Sequence, residues 1–381
     1  MRKTMSITIL SLLFGCGSAR LERIHEARVP ERLDALAAAG RAPGFALATV
    51  DTGGAVHTWA KGRADLTRGT PATVETTWLW FSATKIVTAT AVLQLVERGL
   101  VDLDQPVVRY VPGFASVRNP HGRAVTVRHL LSHTSGLPNP MPVAWIHEAH
   151  LPGPSLDELT ERLLRENDRL DFAPGARFAY SNLGYLVLGQ LIERVSGERY
   201  EAYVQHHILD VLGMHSTGFV LPGGAATGYS RKWSAMGIAG RFLLDGRYFG
   251  ETRDGFTALK AFVVDGAPYG GLVGTLPDMA RFLGAHLGGG AYQGARILRE
   301  ESVALMQQPA LDAKGKPLPM GLGWHLGTVD GERYAAHIGG GGGFRSEIRL
   351  YPALGYAVAV AGNETSFDTD APVRLVVESE R

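Results

Sequence analysis

The chain has 381 residues, a formal net charge of +1, 45% hydrophobic residues and 20% charged residues. These values suit a protein with a sizeable buried core, and no basic run is long enough for a nucleic-acid surface. The 48 glycines imply many turns and close backbone approaches, without the period of a fibrous repeat.

The first residues read as a targeting segment. Arg2 and Lys3 precede a short apolar run over 4–14, too short to span a bilayer. Leu13-Phe14-Gly15-Cys16, followed by the small residues Gly17, Ser18 and Ala19, resembles a bacterial lipoprotein box with Cys16 as the lipidated residue. Phe14 stands where a small or β-branched residue is usual. The alternative is an ordinary secretory peptide cut after Gly17-Ser18-Ala19. Both readings export the chain from a bacterial cytoplasm; the first leaves it anchored in a membrane, facing the periplasm or the cell exterior. Cys16 is the only cysteine, so no intramolecular disulfide is available.

Apolar residues at helical spacing predict a helix over 20–39, interrupted at Pro30. Strands follow at 44–50 and 55–60, joined by a Thr52-Gly53-Gly54 turn. An aromatic approach, Trp78-Leu79-Trp80-Phe81, gives way to a helix that ends before Gly99. Helices are predicted at 156–165, 183–195, 200–212 and 276–287, the last opened by Pro277-Asp278. The glycine-rich stretch 218–268 reads as a long loop with short strands. Strands return at 323–329, 334–338, 344–351 and 356–361, and a short helix over 371–377 closes the chain. Strict alternation from Phe344 to Leu350 predicts one buried and one charged face. Together these elements predict an α+β fold. One antiparallel sheet is built from both chain ends and flanked by terminal helices, with a large, mostly helical region inserted. The organisation expected is a leader over 1–19 and one domain over 20–381. Its sheet part covers about 20–65 and 320–381, and its helical part about 66–319.

Three segments carry chemistry. In Ser82-Ala83-Thr84-Lys85 the serine and lysine lie one helical turn apart on one face. A hydroxyl needs a base to become a nucleophile, and a lysine with a lowered pKa can be that base. In Tyr180-Ser181-Asn182 the phenol, lowered beside an ammonium, can relay protons, and Asn182 can donate to a substrate carbonyl and fix the lysine. The same three residues also read as a helix N-terminus capped by Ser181 or Asn182. His337-Ile338-Gly339-Gly340 opens a glycine run at the end of a strand, where free N–H groups can donate to an oxyanion. A flexible turn is the plainer reading of that run; a phosphate loop would need a following helix, and a strand follows instead. No histidine pair has zinc spacing: Leu130 lies between His129 and His133, and His147, His150, His206 and His207 read as structural or surface residues. No metal and no cofactor are expected.

The three segments, in this order, resemble the serine β-lactamase and penicillin-binding protein superfamily, in its class C-like branch of β-lactamases, D-alanyl-D-alanine carboxypeptidases, D-aminopeptidases and esterases. Leu130-Leu131-Ser132-His133-Thr134-Ser135-Gly136-Leu137, Gly184 to Gly189, Leu212-Gly213-Met214 and Gly270-Gly271-Leu272 fit it too. The resemblance implies a β-lactamase/transpeptidase-like fold. It also implies Ser82 as nucleophile, Lys85 and Tyr180 sharing the base role, and the N–H groups of Ser82 and Gly340 as oxyanion hole. Asn182 would orient the acyl side chain, with Gly339 and His337 beside the substrate. His337 stands where related enzymes carry a lysine, which takes weight from β-lactamase activity. Arg345 can supply a carboxylate partner instead, or be a solvated strand residue. The resulting reading is an exported serine hydrolase cleaving small esters or D-amino-acid peptides. The alternatives are a class C-like β-lactamase and a penicillin-binding or sensor protein that deacylates slowly. The partners expected are a small ester, peptide or β-lactam, a membrane through the lipid anchor only, and no nucleic acid. Oligomeric state has no signal in the sequence.

Overall fold

Seven strands drawn from the two ends of the chain form one antiparallel sheet. The computed structural model describes residues 29–140 and 145–379, so Cys16 and the rest of the leader lie outside the described residues. The order across the sheet is His325–Val329, Glu332–Gly341, Phe344–Tyr351, Tyr356–Gly362, Gly44–Asp51, Val56–Asp65 and Thr70–Pro71. The α+β fold and the sheet built from both ends are as the sequence predicts.

The central strands are buried on both faces, and residue size decides what packs where. Phe45 and Leu47 of Gly44–Asp51 join Val358 and Val360 of Tyr356–Gly362 in a cluster with Val29, Leu33, Val373 and Val376. Those last four come from the terminal helices, over 29–38 and at Asp370–Ser379. On the opposite face the same strands present Ala46, Ala48, Ala357, Ala359 and Ala361 to the main core. These small side chains let the helix Leu276–Leu287 lie close, and a methyl at its Gly284 would press on Val50 and Tyr292.

Of the helix expected over 20–39 the part over 29–38 falls within the described residues, and Pro30 lies in it. Three local expectations change. The predicted 200–212 helix is an α-helix at Tyr200–Val204 that widens into a π turn at Gln205–Leu209. The charged face of Phe344–Tyr351 is buried beneath the C-terminal helix. There Glu347 accepts from Arg349 Nε at 2.7 Å and Thr369 Oγ1 at 2.7 Å, and Arg349 donates to Asp370 at 2.9 Å and Tyr351 at 3.1 Å. Residues 218–268 hold more structure than a loop. Strands Gly228–Arg231, Phe256–Leu259 and Phe249–Arg253 form a small sheet, Ala235–Leu243 is a helix, and Phe262–Val264 pairs with Ile146–Glu148.

Candidate active site

Ser82 sits in the 3-10 turn Phe81–Ala83, directly before the helix Thr84–Glu97. Phe81 has φ +44°, a left-handed conformation that costs a bulky residue about 1–3 kcal/mol. Packing holds it there: its ring lies 6.3 Å from Phe262 and 6.4 Å from Phe344. Thr84 adds a clamp, donating to the Phe81 carbonyl at 2.5 Å and accepting the Leu272 N–H at 3.1 Å.

One turn along, Lys85 is 0% exposed, with Nζ 3.2 Å from Ser82 Oγ and 2.7 Å from the Tyr269 carbonyl. The rings of Tyr180, Tyr185 and Tyr269 surround it at 5.0, 5.4 and 5.3 Å. Burial alone pushes its pKa well below the usual lysine range. The amine is therefore suited to accept a proton from Ser82. The sequence offers Asn182 as the group that fixes the lysine; in the structure the Tyr269 carbonyl does so, from far along the chain.

Tyr180 behaves opposite to the expectation of a lowered phenol. Burial raises its pKa, and the hydrogen bond to Ser82 only partly offsets that. It stays protonated beside a lysine driven toward the neutral form. Next to it, Ser181 caps the helix Asn182–Ser196, accepting the Gly184 N–H at 3.2 Å and donating to the Pro138 carbonyl at 2.8 Å. The capping role and the site role thus coexist in one tripeptide. Asn182 donates its backbone N–H to Asn139 Oδ1 at 2.9 Å, while its own buried Oδ1 has no partner among the described residues.

His337 lies on Glu332–Gly341 and is 1% exposed. Its Nδ1–H donates to the Ile338 carbonyl at 3.0 Å, which leaves Nε2 as an acceptor. Burial, then the neighbouring His325, Lys85 and His133, hold its pKa well below the usual range. Its ring is 6.2 Å from Tyr180 and 5.0 Å from His325, so a neutral imidazole stands against the phenol that is hydrogen-bonded to Ser82.

The glycines that follow have separate jobs. A methyl at Gly339 would overlap the Trp80 carbonyl and Ser346 Oγ, so glycine lets this strand close on the Ser82 turn. A methyl at Gly340 would meet only Arg345, at 3.5 Å or more. Gly341 pairs with Phe344 across the Gly342-Gly343 turn. In an antiparallel ladder the pair closing a two-residue turn is hydrogen-bonded and its neighbour is not, so the Gly340 N–H points to the strand's other edge.

A cavity of about 450 Å³ opens beside these groups, lined by Ser82, Asn182, Gly340 and Arg345. Its far wall is apolar, including Ile146, Leu244, Tyr248, Leu259 and Phe262. Arg345 pairs in register with Gly340, so it is at once a strand residue and part of the cavity wall.

His133, which the sequence reading weighs only as a failed zinc ligand and a residue of the family stretch, is fully buried with φ +54°. Its ring lies 4.3 Å from Tyr180 and 5.0 Å from Tyr185, and Nδ1 accepts the Ser181 N–H at 3.1 Å. His325, 6.2 Å from Tyr180 and stacked on it, was also unmarked. A test for metal spacing marks neither residue, because both stack on Tyr180 and His133 in addition accepts a backbone N–H. Other histidines have local partners: His129 completes a capping box with Thr126, and His147 is 2.5 Å from Asp265. His206 and His207 both meet Glu198. Among the described residues no cluster of His, Cys, Asp or Glu is placed to hold a metal ion.

The chain as a whole is similar to known proteins. The family model described as Beta-lactamase matches residues 29–379. The chain is 32% identical to penicillin-binding protein 4 of Amycolatopsis lactamdurans, over 89% of this chain and 86% of that one. It is 33% identical to esterase EstB of Burkholderia gladioli, over 56% of this chain and 54% of the relative. The D-amino acid amidase of Ochrobactrum anthropi, solved with D-phenylalanine, superposes with a TM-score of 0.74 at 25% identity, covering 93% of this chain and 98% of that one.

Proposed function

The chain belongs to the Beta-lactamase family and is a serine hydrolase, and from that premise we propose that Ser82 is acylated by small esters or amides, D-amino-acid peptides among them. One observation carries the assignment of the nucleophile: the fully buried Lys85 amine, its pKa lowered, 3.2 Å from Ser82 Oγ.

Lys85 takes the Ser82 proton as Oγ attacks the carbonyl carbon. The Ser82 and Gly340 N–H groups receive the oxyanion, each such donor contributing about 3 kcal/mol at the transition state. When the tetrahedral adduct collapses, the alcohol or amine leaves with a proton passed through Tyr180 from the Lys85 ammonium. Water then repeats the sequence on the acyl-enzyme and releases the acid. The apolar cavity wall supports an apolar acyl side chain, and Arg345 supports a carboxylate on the substrate.

A second reading, a penicillin-binding protein that deacylates slowly, has support from the identity to penicillin-binding protein 4. A fluorophosphonate and a fluorescent penicillin, with the adduct located by mass spectrometry, test both. Label at Ser82 with rapid ester turnover is the expected result. A lasting penicillin adduct favours the second reading, and rapid cephalosporin turnover favours a β-lactamase. No label at Ser82 under either probe overturns the mechanism.

We also propose export and lipidation at Cys16, supported by the leader alone. A diacylglycerol adduct on the Cys16 peptide, lost in Cys16→Ala, is the expected mass-spectrometric result. An unmodified peptide overturns it.

A further inference from the structure

We propose that the helix Ala235–Leu243 docks on an anionic lipid bilayer and turns the mouth of the Ser82 cavity toward it. The helix reads AMGIAGRFL, with Arg241 its one charged residue. Its two faces have different tasks. Gly240, and Leu244 just beyond the helix, line the cavity. Ile238 and Phe242 are each two positions from Gly240, about 200° around the axis and so on the opposite side. They are 46% and 86% exposed, and Trp233 at the helix entrance is 81% exposed. A helix that is apolar on its outer face needs a cover.

The surrounding charge favours anionic lipid as that cover. Residues 231–247 carry the basic Arg231, Lys232, Arg241 and Arg247 and the acidic Asp245, and from outside this segment Glu364 faces Arg231. Lys232 Nζ lies 5.3 Å from the Trp233 ring, an aromatic and cationic pair suited to the headgroup layer. Asp245 and Glu148 both face Arg247, at 3.6 and 3.9 Å, which leaves Lys232 and Arg241 outside that pairing. A second copy of the chain suits the patch poorly. The three side chains offer roughly 500 Å², short of the ~800 Å² per partner of a stable interface. A two-fold axis through the patch would also set its basic residues against themselves.

Arg231 donates to the Gly40 carbonyl at 2.6 Å, tying this segment to the C-terminal end of the helix over 29–38. A lipid on Cys16, if that reading holds, would add to this docking; the patch itself does not rest on it. With the mouth so placed, the substrate class is an amphiphilic ester whose chain enters the apolar wall directly from the bilayer.

The test uses the full chain carrying Cys16→Ala, with and without Trp233→Ser and Phe242→Ser. Co-sedimentation is measured on vesicles of phosphatidylglycerol and phosphatidylcholine. Hydrolysis is measured on p-nitrophenyl acetate in water and on a long-chain ester within the vesicles. The expected result is about tenfold weaker vesicle binding by the double variant, with the vesicle-borne ester losing rate in step. Soluble-ester turnover stays at the parent level, which shows the fold and Ser82 intact. Equal vesicle binding by both proteins, or none by the parent, overturns the proposal. So does a dimer in light scattering that the double variant abolishes. If neither ester is hydrolysed but vesicle binding differs, the serine-hydrolase chemistry fails and the docking surface stands.

Discussion

The His133 ring lies 4.3 Å from the Tyr180 ring, tilted by 33°, and no polar bond joins them. The imidazole instead takes the Ser181 N–H, so it fixes the backbone that carries Tyr180 as well as the ring itself. Asparagine tolerates a positive φ and can accept from Ser181, but it has no ring to stack. His133→Asn is expected to lower kcat about tenfold while KM changes little. Steady-state kinetics on a soluble ester decide this; a purely higher KM would contradict it.

Lys85 sets the pH dependence. Its pKa in the fold lies well below its ordinary 10.5, so between the two values the unfolded chain holds a proton that the native chain lacks. Stability from this group therefore rises with pH across that window. Activity falls as acid protonates the amine. Lys85→Met is expected to lose about 10³-fold in kcat/KM and to unfold at an equal or higher Tm near neutral pH. That Tm advantage should shrink toward pH 10.5. Thermal melts of both proteins across the range check the sign.

Gly339 and Gly340 differ in what they touch. Gly339→Ala sets a methyl against the Trp80 carbonyl, a backbone atom that cannot swing aside. Overpacking of this kind costs about 1–3 kcal/mol and displaces the strand from Ser82. Gly340→Ala meets only the Arg345 side chain, and its unfolding midpoint should stay within about 0.5 kcal/mol of the parent. Urea unfolding of the pair measures the contrast.

Arg349 and Glu347 are a buried pair beneath the C-terminal helix, 7% and 1% exposed in their side chains. Arg349→Met leaves Glu347 charged and short of a partner, at a cost of about 3 kcal/mol. Adding Glu347→Leu should recover much of that loss. A double variant no better than the single one would show that the pair does not act as a unit.

The sequence carries Ser82 and Lys85 clearly because their relation is local: three residues, one turn, one face. The strands and helices of the sheet layers are legible for the same reason, since periodicity is a short-range signal. The partners of Lys85 and Tyr180 are not local. Tyr269 offers a backbone carbonyl, which any residue type can supply, and His133 contributes a flat ring with no spacing to mark it. Alternation in Phe344–Tyr351 separates a buried from a charged face but does not say what covers the charged one, where Glu347 and Arg349 lie beneath the C-terminal helix. The His337 position is legible and its orientation is not, because its hydrogen bond to Ile338 depends on the local strand geometry.

The Gly44 N–H donates to Asn363 Oδ1, 319 positions later, and Gly44–Asp51 pairs along its length with Tyr356–Gly362. The middle of the sheet cannot close until almost the whole chain has been made. Until then an early strand lacks its neighbour, and loop closure over such a span is slow. A chain cut short before Tyr356 therefore keeps the Gly44–Asp51 edge unpaired and open to a strand of another molecule.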